Sequence, residues 1–166
     1  MTLIAGGGIY YLCRQAAPRR QSLATLERLQ QALASANSAS ILDTISLPAA
    51  IKDRTAAEQT EFLTKAMHDE ISTEGLAVLR RDGQFGPLTN LFPTEAKAWA
   101  KQAGVKAEDC VALKLERNGL RTEVVLVKPS TLNSQPSTRE ASYRIVRVNN
   151  VKQLAESKPL TTEQNR

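Results

Sequence analysis

Apolar and polar positions alternate through two neighbouring runs, Cys110-Val-Ala-Leu-Lys-Leu-Glu-Arg117 and Leu120-Arg-Thr-Glu-Val-Val-Leu-Val127. Between them stands Asn118-Gly119, a pair that accepts the positive φ of a type I′ turn at low cost. A two-residue loop fixes the register, so Arg117 faces Leu120, Leu115 faces Thr122, Leu113 faces Val124 and Val111 faces Leu126. One face then sets Glu116 beside Arg121 and Lys114 beside Glu123, while the other collects Val111, Leu113, Leu115, Val124 and Leu126. The pattern predicts a sheet with one wet face and one buried face. A third strand, Ser142-Tyr-Arg-Ile-Val-Arg-Val-Asn149, returns after a polar loop at 129–141. Its period of two sends Arg144 and Arg147 to opposite faces.

Upstream the spacing is helical. Leu23, Leu26, Leu29 and Leu33 form a stripe over 22–35, with Ser22 placed as a cap. Residues 36–54 lose that period and read as a connecting segment whose Ile41, Leu42, Ile45, Leu47 and Ile51 lie against the domain. Thr55-Ala-Ala-Glu58 is a capping box opening a helix in which Phe62, Leu63, Ala66, Met67 and Ile71 share one face. Ser72 restarts or continues that helix, Asp82-Gly83 stops it, and Phe85-Gly86-Pro87 reads as a sharp corner. A helix at about 94–103 places Ala96, Trp99, Ala100 and Ala103 together and ends at Gly104, a left-handed cap followed by Val105 as its apolar partner. Lys152 to Ala155 adds a turn of helix.

Helices followed by an antiparallel meander define an α+β fold. The expected architecture has N-terminal helices packed on one face of a small, about three-stranded antiparallel sheet containing the Asn-Gly hairpin. The chain divides into a terminal or membrane-anchor segment (1–20), a helix plus connector (21–54), a globular α+β domain (55–155) and a disordered tail (156–166). In architecture alone this resembles small cystatin-like and NTF2-like domains, in which a curved sheet wraps a helix. The resemblance implies a pocket between helices and sheet, of the kind that binds a small ligand or carries lyase chemistry; no motif of either family is present.

Hydrophobic residues make up 42% of the 166 and aromatics only 4%, so the core is built from Leu, Val, Ile and Ala. The formal charge of +5 attracts anionic surfaces, although the bases are dispersed. Residues 2–13 form an uncharged apolar run followed by Arg14, Arg19 and Arg20, with no acid before Glu27. As a helix that run is about 18 Å long against about 30 Å of hydrocarbon, too short for an ordinary span. It lacks the basic n-region of a secretory signal. The expectation is the end of a membrane anchor with the globular domain on the cytoplasmic-type side, where the arginines are.

Candidate chemistry is sparse. His68 is the single histidine, and in His68-Asp69-Glu70 adjacent helical residues point in different directions. Gly6-Gly7-Gly8 lacks the strand and the Lys-Ser/Thr of a phosphate loop. Cys13 and Cys110 have no paired spacing, and Glu108-Asp109 reads as a polar turn. No catalytic, cofactor-binding or metal-binding residue is assigned, and no cofactor is expected. Lys114, Arg117, Arg121, Arg144, Arg147 and Lys152 support at most a weak nucleic-acid binder, since Tyr143 is the lone aromatic of these strands and gives no stacking platform. The expected function is a non-catalytic interaction or scaffolding module that takes a protein partner and is tethered to a membrane or a larger assembly. A small-ligand or lyase-type pocket is the alternative, and a polar-lined cavity open to solvent would favour it.

Overall fold

The computed structural model describes the backbone of residues 5–47, 49–128 and 142–156, without the side chains of 5–15, 49, 50, 66–68 and 156. Helices α1 (Ala5–Ala34), α2 (Ser38–Thr44), α3 (Ala49–Lys52), α4 (Ala56–Glu70) and α5 (Thr73–Asp82) precede strand β1 (Gln84–Pro87). Short helices α6 (Leu88–Leu91) and α7 (Ala96–Ala103) connect β1 to β2 (Cys110–Arg117). Then come β3 (Leu120–Val127), β4 (Arg144–Asn149) and α8 (Val151–Glu156). The strands form one antiparallel sheet in the order β1-β2-β3-β4, so the fold is α+β.

β2 and β3 pair from Cys110 opposite Val127 to Arg117 opposite Leu120. Asn118 and Gly119 between them hold φ of 52° and 75°. β1 is a strand rather than a corner: Gln84 to Pro87 lie opposite Lys114 to Val111. Proline and glycine are tolerated there because β1 is short and lies at an edge. β4 pairs with β3 through an irregularity at Val125/Leu126, which leaves Ile145 opposite Leu126 and Arg147 opposite Val125. The extra residue resets the alternation. Arg144 and Arg147 therefore oppose Val127 and Val125, residues of a single face, and not opposite faces as a period of two requires.

The sheet is covered on both sides. On one face Val111, Leu113, Val124, Leu126 and Ile145 meet Leu26 and Leu29 of α1, Leu76 and Leu79 of α5, and Val151 and Leu154 of α8. On the other, Cys110, Ala112, Val125 and Val127 lie under Leu88, Phe92 and Ala96. The wet face expected from the hairpin is thus confined to its turn end, where Lys114, Glu116 and Arg121 stand. The second face is apolar at one end of the ribbon and charged at the other.

Local chemistry sets several helix ends. At α4 the Glu58 carboxylate accepts from the Thr55 hydroxyl (2.8 Å) and amide (3.0 Å), which holds its carboxyl below the usual range. Ser72 restarts the helix as the cap of α5, accepting from the Gly75 amide at 3.0 Å. Asn37 caps α2 in the same way, so part of the expected connector, 38–44, is helical. Ser22 is no cap: α1 runs through it and through Pro18, and the Ser22 hydroxyl is buried without a hydrogen-bond partner among the described residues. Gly104 ends α7 at φ 69°, and the Val105 amide reaches back to the Ala100 carbonyl at 3.0 Å.

Two glycines make opposite demands. A Cβ on Gly75 would overlap the Val151 carbonyl, so α5 and α8 approach each other only because that atom is missing. A Cβ on Gly104 meets nothing within 4 Å, and only the positive φ opposes it. Gly75→Ala is therefore expected to cost about 2–4 kcal/mol and Gly104→Ala about 1 kcal/mol. Urea denaturation of the two variants measures both losses, and equal losses would contradict the close α5–α8 approach.

Candidate docking groove and its arginine–aromatic rim

β4 ends the sheet, and among the described residues its outer side is paired by one isolated parallel bridge, Ile45 to Ile145. The Ser46 amide donates to the Ile145 carbonyl at 2.7 Å. Arg144 fastens the same segment by donating to the Leu42 and Ile45 carbonyls at 2.8 and 3.0 Å. Beside this bridge a groove of about 460 Å³ is lined by α4, α7 and the length of β4. α4 supplies Phe62, Leu63 and Glu70, with Ile71 just beyond its end, α7 supplies Trp99, Gln102 and Ala103, and β4 supplies Ile145 to Val148. The helical stripe places Phe62 in the core with Leu63 and Ile71; those two are buried, but Phe62 is 38% exposed. Ala66 and Met67, on the same stripe, have side chains outside the described set.

The rim is held by stacked cations. Phe92 and Trp99 have ring centroids 5.0 Å apart at 52°. The Arg147 guanidinium lies 4.3 Å from the Trp99 centroid, and that of Arg121 lies 4.7 Å from Phe92. Beneath them Glu123, only 2% exposed, accepts from Asn149 at 3.1 Å and from Arg147 at 3.4 Å. Its second oxygen faces the Arg121 Nε at 3.6 Å. Arg121 also donates to Glu95 at 2.9 Å, and that bond holds the Glu95 carboxyl below its usual range. The expected pairs Lys114–Glu123 and Glu116–Arg121 are replaced. Lys114 instead meets Glu116 at 3.4 Å, because Glu95 and Arg147 arrive from distant parts of the chain and take Arg121 and Glu123.

The other candidate residues do not converge. The His68 side chain lies outside the described residues. Glu70 of α4 accepts from the Asn150 amide at 3.1 Å. Gly6 to Gly8 are helical backbone within α1, and Glu108 and Asp109 form a 3-10 turn. Among the described residues no three His, Cys, Asp or Glu side chains are grouped to hold a metal. Of the bases considered for nucleic acid, Lys114, Arg121, Arg144 and Arg147 are occupied within the fold, and Tyr143 is buried. No described helix is long and apolar enough to cross a membrane.

Glu123 distinguishes a buried network from an exposed cross-strand pair. Glu123→Ala leaves two guanidiniums without their shared acceptor and is expected to cost about 2–3 kcal/mol in chemical denaturation, against about 0.2–1 kcal/mol for a surface pair. Cys110 gives a second test. Burial first, and then Asp109, pushes its thiol up to about 11, so little thiolate forms at neutral pH. In a Cys13→Ser background at pH 8, iodoacetamide is expected to modify native Cys110 about a hundredfold more slowly than the unfolded chain. Equal rates by mass spectrometry would show that the thiol is not sequestered.

No family model, curated protein or solved structure matches this chain, so the reading of the groove rests on its geometry.

Proposed function

We propose that the chain is a non-catalytic interaction module that takes apolar side chains of a protein partner into the groove lined by α4, α7 and β4. The observation that carries this reading is the groove itself, with an exposed Phe62 on one wall and Trp99 on the other. Its charged members are already engaged, Arg147 by Glu123 and Trp99, and Glu70 by the Asn150 amide. A site for catalysis or polar-ligand recognition needs convergent polar groups free to meet a substrate. This groove offers mainly apolar surface. In the same reading α1, whose backbone continues N-terminally past its first described contacts with the domain, is the tether to a membrane or a larger assembly.

The groove volume of about 460 Å³ also falls in the range of small-ligand sites, which keeps an apolar small molecule as the second reading. A photo-reactive phenylalanine at position 62 in the full chain, expressed in the native host, separates the two. A discrete protein adduct at position 62, absent when the same group replaces exposed Lys97, is the expected result. Adducts equal at both positions, or none at 62, would contradict a protein-docking groove. A small apolar ligand would instead shift the emission of Trp99, the only tryptophan, without any protein adduct.

A further inference from the structure

Among the described side chains, helix α1 engages the domain through its C-terminal half. From Ala16 to Gln21 every side chain is exposed except Pro18, which is half-buried, and Ser22 is the first buried side chain among the described residues. The helical backbone nevertheless extends back to Ala5. Ile9-Tyr10-Tyr11-Leu12-Cys13 lies in that extension. These five consecutive residues carry no charge, so the sequence offers no charged stripe over more than one helical turn, a composition that favours a covering phase.

Charge identifies the phase. No acidic residue precedes Glu27, whereas Arg14, Arg19 and Arg20 follow the apolar turns. Arg19 and Arg20 are exposed and have no ion-pair partner among the described residues, unlike Arg80, Arg121 and Arg147, each paired with a carboxylate. We propose that this end of α1 docks on an anionic phospholipid membrane. This rests on the tether in the reading above and names its surface. Ile9 to Leu12 enter the acyl boundary, the two tyrosines sit at the interface where aromatic rings collect, and the three arginines meet lipid phosphates. Arg19 and Arg20 lie about 11 Å along the helix from Leu12, and their long side chains reach back toward the headgroups.

The test is flotation of the full chain with vesicles of phosphatidylcholine alone and with vesicles in which about one-quarter of the lipid is phosphatidylglycerol. Binding is expected to favour the anionic vesicles and to fall as salt rises. Each surface arginine contributes about fivefold, so Arg19→Gln with Arg20→Gln should weaken partition about thirtyfold. Lys97→Gln with Lys101→Gln removes the same charge from exposed sites on α7 and should change it by less than about threefold. Equal partition of the two double variants, equal binding to both vesicle types, or no flotation overturns the proposal. Sedimentation of a detergent-treated host extract separates this from the broader reading. A chain that does not float yet migrates with a protein assembly keeps its tether and loses the membrane; one that does neither loses both.

Discussion

The β2–β3 ribbon needs cover on both faces at one end and on one face at the other, and the placement of the helices follows from that requirement. Toward Cys110 and Val127 apolar residues occur on consecutive positions, so an uncovered second face would leave Ala112, Val125 and Val127 in water. The β1–β2 connection folds over them as α6 and α7, bringing Leu88, Phe92 and Ala96. Toward the turn the same face carries Lys114, Glu116 and Arg121, and the layer meets it through Phe92 and Glu95. The groove lies where this second layer stops, beside a strand whose other face is closed by α1, α4, α5 and α8.

Glu123 stands at the boundary between the dry and wet parts of that face. A carboxylate this buried is tolerable only with close cationic and hydrogen-bonding partners, because lost hydration outweighs a single distant charge. Arg121, Arg147 and Asn149 supply them from two strands. The guanidiniums in turn lie over the rings of Phe92 and Trp99, a position favoured by the ring quadrupole. One acid thereby sets where β3, β4 and the indole of α7 stand relative to each other. The wall of the groove inherits its position from that cluster.

Features governed by neighbouring residues are legible in the amino-acid sequence alone. The capping pair Thr55 and Glu58, the left-handed Gly104, and the pairing of Leu113 with Val124 each depend on a few adjacent side chains and the backbone angles they permit. Features requiring distant segments are not legible there. β1 carries Gly86 and Pro87, which argue against a strand until β2 is there to pair with it. The faces of Arg144 and Arg147 depend on one extra residue in β4 that no period reveals. Phe62 shares a helical stripe with buried Leu63, and only the separation of α4 from α7 leaves it exposed. The second covered face does leave a signal, since Cys110, Ala112, Val125 and Val127 are apolar at positions that strict alternation assigns to water.

α1 is joined to the sheet beside the groove as well as to the core. The buried Thr25 hydroxyl donates to the Tyr143 carbonyl at 3.2 Å, one residue before β4 begins. Leu26 and Leu29 follow it into the core within one further turn. These contacts fall within little more than one helical turn of α1. The helix is thus joined to the chain just before the strand that lines the groove, and a close-packed interior leaves little compliance between the two.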